Sequence, residues 1–137
     1  MTPLHQVHAA LIAQNSLFWT YHWQSKDYGE HLLFKRLYGA RDSEIDRLAE
    51  LITTVHGGIN PIQSWGAALK LIEVVEASGG SSRSKSAQII RAVLSRIQTA
   101  DNAFPNGPYK LGVNNVIAGI SDSQLEALYL VQQGIKP

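Results

Sequence analysis

The chain has 137 residues, 12 Lys+Arg against 11 Asp+Glu, a formal charge of +1, 45% hydrophobic residues and no cysteine. That length supports one compact domain, residues 1–137, with its own core, and excludes a multidomain enzyme. Without cysteine there is no disulfide framework, no zinc-thiolate cluster, no iron–sulfur centre and no cysteine nucleophile, so any metal site has to use His and carboxylate. The balanced charge gives no overall pull toward a phosphate backbone.

The residues after Met1 (Thr2, Pro3, Leu4, His5, Gln6) form neither a basic n-region nor an apolar h-region, and do not read as a secretory signal. The longest apolar runs, such as Ala67-Ala68-Leu69, fall far short of the ~18 residues a membrane span needs. The expectation is a soluble, cytoplasmic protein. Segment A, from about Thr2 to Ser25, spaces Leu4, Leu11 and Phe18 by seven, interleaved with His8, Asn15 and His22, and has Pro3 where a helix start tolerates it. Segment B, from about Tyr28 to His56, puts Phe34, Leu37, Tyr38, Ile45, Leu48, Ile52 and Val55 on one face about 100° wide.

After Gly57-Gly58, a shorter helix from Ile62 to Ala77 has Trp65, Leu69, Ile72 and Val75 as apolar positions, and a Gly/Ser linker follows. Segment C, from about Ser84 to Ala103, turns Ile89, Ile90, Val93, Leu94 and Ile97 inward. Segment D, from about Val113 to Ile135, carries Val116, Ile117, Ile120, Leu125, Leu128, Tyr129 and Val131. Short or moderate turns make A/B and C/D antiparallel pairs, whereas the B-to-C connection is long and contains a helix. The expected fold is all-α: a ferritin-like four-helix bundle with one crossover that carries the short extra helix.

The polar residues of segment B carry the chemistry. With His31 at zero on the helical wheel, Asp42 falls at about 20°, Asp46 at about 60° and Glu50 at about 100°, a stripe beside the apolar face. His22 ends segment A, so a tight A–B turn lets it converge with His31. Asp46 and Glu50, one turn apart, form a carboxylate clamp. Asp46 lies fifteen residues beyond His31, about 22 Å along one helix, whereas ligands of one metal sit about 2 Å from it. Either the groups belong to unrelated sites, or an antiparallel second copy brings its Asp46 and Glu50 to the first copy's His22 and His31, giving two sites per dimer.

The run Tyr21-His22-Trp23, then His31, Phe34 and Tyr38, then Ile45-Asp46-Arg47-Leu48-Ala49-Glu50, resembles the motif of Dps proteins, the miniferritins of starved bacteria. The resemblance covers mainly residues 15–52; Gln124 to Leu130 is loosely similar to that family's last helix. The His22–His31 interval is shorter than the usual Dps turn, a form similar to ferritin-like proteins of phages and large viruses. The compartment is then bacterial cytoplasm, or host cytoplasm for a viral source. Lys35 stands where many members carry a carboxylate one turn after the second His.

What the resemblance implies is a ferroxidase and iron-storage protein. Fe(II) binds between subunits at His22, His31, Asp46 and Glu50, which serve as metal ligands and catalytic residues. Peroxide or dioxygen oxidises it, and Fe(III) is sequestered in a hollow homo-oligomer, a dodecamer, protecting against oxidative stress. The Glu-x-x-His centre of full-length ferritins is absent, since none of the six Glu is followed three positions later by His. The alternatives are a Dps-like DNA-binding protein or a structural bundle with a degraded metal site. Arg83, Lys85, Arg91 and Arg96 form the best candidate DNA face, but no Lys or Arg precedes Lys26, and the chain ends Gly134-Ile135-Lys136-Pro137. Asp42 is expected in an ion pair with Arg41 or Arg47, His5 and His8 as solvated or capping, and Gly79 to Ser86 as a linker that caps segment C.

Overall fold

Four of the five helices start on a polar side chain that takes up an unpaired backbone N–H, as helix starts require. In the computed structural model, which describes residues 1–133, Thr2 opens α1 (Pro3–Gln24) and Asp27 opens α2 (Tyr28–His56), accepting from Gly29 N at 2.9 Å. Asn60 opens α3 (Pro61–Ala77), and Ser81 opens α4 (Ser82–Ala103) by accepting from Ser84 N at 3.1 Å. Helix α5 (Lys110–Gln132) has no side-chain cap. Gly57, at φ 86°, ends α2 in the left-handed conformation that glycine adopts without a Cβ penalty.

Helix polarity follows from contacts at the two ends of the bundle. At one end, Arg83 at the start of α4 donates to Glu30 near the start of α2 (3.1 Å) and to the Leu130 and Val131 carbonyls near the end of α5 (3.3 and 3.4 Å). At the other end, His5 Nε2 donates to the Gly58 carbonyl at 2.8 Å and the His56 ring lies 6.0 Å from Phe104. Helix α1 packs on α2 and α4, and α5 packs on α4 and α2. The ring order is therefore α1–α2–α5–α4, with every neighbour antiparallel and α2 parallel to α4 across the diagonal. A parallel pair has no tight-turn connection, so the chain crosses the full bundle length through α3. That helix leans on α1 and ends where Glu76 accepts from Tyr21 Oη (3.1 Å) and Lys85 Nζ (2.6 Å).

The core has two lobes. One centres on Phe18, Tyr21 and Phe34, with Phe34 edge-on to Tyr21 at 5.5 Å; the other centres on Leu4, Leu11, Leu48, Ile52, Val93 and Ile117. Between α1 and α5, Gln14 and Gln124 exchange amide hydrogen bonds, Gln14 Nε2 to Gln124 Oε1 and Gln124 Nε2 to Gln14 Oε1 (2.5 and 2.9 Å), both side chains fully buried. The reciprocal pair fixes how those two diagonal helices face each other.

Helix ends differ from the sequence reading by a few residues: α4 begins at Ser82 because Ser81 caps it, and α5 at Lys110, whose ammonium donates to the Asp101 and Phe104 carbonyls (2.6 and 3.1 Å) across the turn. Segment D was expected to reach Ile135; residues 134 and 135 lie outside the described residues. The larger difference is on the surface. Trp65 and Leu69 of α3 are 58% and 55% exposed, and Leu125 and Tyr129 of α5 are 53% and 63% exposed. Helix α3 lies outside the four-helix ring and buries only a narrow face around Ser64, Ala68 and Val75. No helix among the described residues is long and apolar enough to cross a membrane.

Candidate metal centre

The turn between α1 and α2 is three residues, Ser25 to Asp27, and it places the last turn of one helix beside the first turn of the next. His22 and His31 meet there as stacked rings, centroids 3.9 Å apart and planes 29° apart. His22 Nδ1 donates to the His31 carbonyl at 2.9 Å, and His31 Nδ1 donates to the His22 carbonyl at 3.2 Å. A carbonyl only accepts, so each Nδ1 carries a proton, and the neutral form with that tautomer has its lone pair on Nε2. The Nε2 atoms are then the donors that the pair can offer a metal ion. Backbone-anchored Nδ1 with free Nε2 is the arrangement that orients histidines as metal ligands.

Aromatic rings wall the pair on one side. Tyr38 stands edge-on to His22 at 5.3 Å, Trp19 edge-on to Tyr38 at 6.0 Å, and Trp23 stacks on Trp19 at 6.4 Å. Trp23 is 71% exposed and Leu32 44% exposed. The α1–α2 face that carries the histidines is therefore open, with apolar side chains near the pair and the exposed Lys35, Asp42, Asp46 and Glu50 along α2.

Asp46 and Glu50 are exposed on α2, several turns away. Among the described residues no three His, Asp or Glu of one chain gather closely enough to hold a metal. Asp46 instead acts electrostatically on His8, the next polar position of α1 to meet α2 on this side. Asp42 does not pair with Arg41 or Arg47: it accepts from Asn15 Nδ2 at 3.0 Å, because Arg41 turns inward to Glu44 (3.2 Å) and Ser123. His8, Asn15 and His22, seven residues apart on α1, thus form a polar seam against α2.

His5 is a cap, as expected: its Nδ1 accepts from Thr2 N and Oγ1 (3.3 and 2.6 Å). His8 is neither solvated nor capping. It is 4% exposed and lies against the Ile45 backbone, neither ring nitrogen makes a hydrogen bond of good geometry among the described residues, and burial holds its pKa below the ordinary value. In the α2–α5 seam, burial likewise raises the Glu44 pKa and lowers that of Arg41. The basic side of α4 is partly neutralised, since Arg83 serves Glu30 and the end of α5, and Lys85 serves Glu76.

A comparison with protein-family models, curated proteins and solved structures finds no match.

The sequence reading missed Tyr38 as the ring packed on His22, the inward Arg41–Glu44–Ser123 network, and the buried His8. The wheel carried a signal for Tyr38, which sits seven residues after His31 on the same side of α2. Nothing in the sequence distinguishes Arg41 from the exposed arginines around it.

Proposed function

We propose that the protein is a Dps-like, ferritin-like ferroxidase. Two copies pair through their α1–α2 faces, and each Fe(II) site takes His22 and His31 from one copy and Asp46 and Glu50 from the other. The observation that carries this reading is the stacked histidine pair with both Nδ1 atoms tied to carbonyls and both Nε2 atoms free. Two further features support it. The exposed Trp23 and Leu32 beside the pair are apolar surface that a partner would cover. An antiparallel copy that sets His31 opposite Asp46 and Glu50 puts the two-fold axis midway between them on α2, near Gly39, which shares their side of the helical wheel. Gly39 is exposed, and a Cβ there would meet nothing within 4 Å. Small residues at a helix crossing allow close approach.

Iron is the substrate of this chemistry. Two neutral imidazoles and two carboxylates leave a site of low charge that accepts a divalent ion, and hard carboxylate oxygens favour the ferric product. Summed over the two sites of a dimer, each giving one electron, two Fe(II) and one hydrogen peroxide, with two protons, give two Fe(III) and two waters. Lys35, exposed one turn beyond His31, puts an ammonium where a further carboxylate would recruit a second ion, so each site holds one iron. The released Fe(III) collects within a closed homo-oligomer in the cytoplasm. The DNA-binding alternative finds less support, because two of the four basic residues on α4 are already paired within the chain.

The test adds Fe(II) anaerobically, then peroxide, and follows ferric absorbance. Wild type should form ferric product well above the protein-free rate, and His31→Ala and Asp46→Ala should each fall to that rate. Equal rates in all three proteins would refute the reading.

A further inference from the structure

Helix α5 carries two seams. The inner one, with Val113, Ile117, Ile120, Gln124, Ala127 and Val131, is buried in the bundle. The outer one, Leu111, Asn115, Ala118, Asp122, Leu125 and Tyr129, repeats at alternating intervals of four and three, and every member is exposed. Leu111, Leu125 and Tyr129 are 73%, 53% and 63% exposed. A largely apolar pattern of that period is what a helix presents to another helix, and among the described residues no element covers it. Its one acid, Asp122, forms no ion pair or side-chain hydrogen bond among the described residues.

A surface of matching character lies on the other side of the molecule. Helices α3 and α4 touch little, and a groove of about 630 Å³ runs along α3, bounded by Met1 and Gln6 at the start of α1 and by Arg96 of α4, with Gly66, Ala67, Leu71 and Val74 along its floor and Gln63 at its edge. Lys70 and Arg96 are its only charged lining residues, and neither belongs to an ion pair among the described residues. The groove is apolar, positive at its rims and without a carboxylate; the α5 seam is apolar with one unpaired carboxylate.

Glycines mark both surfaces. Gly66 lies in the groove, and Gly112 and Gly119 flank the outer seam of α5. Each sits inside a helix, where glycine costs stability relative to alanine, yet a Cβ at any of the three would meet nothing within 4 Å. Packing within the chain does not require them. A glycine at such a surface leaves room for another helix to come close.

We propose that the outer seam of α5 docks into the α3–α4 groove of another copy of this chain, Leu125 and Tyr129 entering the groove and Asp122 reaching Lys70 and Arg96. The contact joins two different surfaces, so it is heterologous and extends an assembly beyond a pair. Added to an isologous α1–α2 contact it builds an assembly larger than a dimer, and it does not depend on iron.

The experiment is sedimentation of the full chain at low and at physiological salt. Wild type should run as a species larger than a dimer, and Asp122→Lys should run as a dimer or smaller. Joining Asp122→Lys to Lys70→Glu and Arg96→Glu should restore the large species, because the charges are then exchanged across the contact. Gly66→Leu, which fills the groove without changing charge, should also dissociate it. All four positions are surface sites or open to solvent, and circular dichroism checks that each variant keeps its helices. A wild type no larger than a dimer, an Asp122→Lys particle of unchanged size, or a charge exchange that restores nothing would each overturn the proposal.

Discussion

Replacing Gln14 by Leu tests how α1 is held in the bundle. Gln14 and Gln124 are both fully buried and satisfy each other through two hydrogen bonds. The substitution leaves the amide oxygen and the NH₂ group of Gln124 in the core without a partner. Each such group costs about 1–3 kcal/mol, so Gln14→Leu should lower stability by about 2–6 kcal/mol, and Gln124→Leu by a similar amount. The double Leu variant removes all the buried polar atoms at nearly constant volume and should lie within about 1 kcal/mol of wild type. Urea unfolding of the four proteins gives the coupling energy directly. A single variant that costs less than about 1 kcal/mol, or a double variant that costs the sum of the two, would refute the reasoning.

Acid should destabilise the fold from near neutrality. Burial holds His8 and His56 below the ordinary histidine value of 6.5, so below that pH the unfolded chain binds more protons than the folded one and stability falls as pH drops. The urea midpoint should decrease between pH 7 and pH 5. His8→Leu, which removes two buried ring nitrogens without hydrogen bonds of good geometry, should raise stability at pH 7 and flatten that slope; a midpoint constant over this range would contradict the assignment. Lys35→Glu should add a metal-binding oxygen beside His31 and raise the Fe(II) bound per dimer above two in anaerobic calorimetry, whereas an unchanged stoichiometry would show that Lys35 does not limit the site.

Helix positions were legible because four of the five helices have local punctuation: Thr2, Asp27, Asn60 and Ser81 at the starts, Gly57 after α2. The crossover was legible from the unequal connections, since a parallel α2/α4 pair requires a segment as long as α3. The convergence of His22 and His31 follows from a three-residue turn and needs no tertiary information. Other features depend on what lies across the bundle. Helix periodicity marks Trp65, Leu69, Leu125 and Tyr129 as apolar, but whether such a residue meets the core or another chain is set by its angle to neighbours that sequence does not name. Likewise Arg41 turns inward only because Ser123 and Glu44 stand opposite, one of them 82 residues away in the chain.

The claim that one metal site is shared between two chains is tested most directly by complementation. One variant carries His22→Ala and His31→Ala, the other Asp46→Ala and Glu50→Ala, and neither alone retains a complete site. Unfolded together and refolded as a mixture, half of randomly formed dimers contain one chain of each kind, and each of these has one intact site of two. Ferric formation should therefore return to about a quarter of the wild-type amplitude in the mixture, while each variant alone stays at the protein-free rate. A mixture as inactive as its components would contradict the shared site.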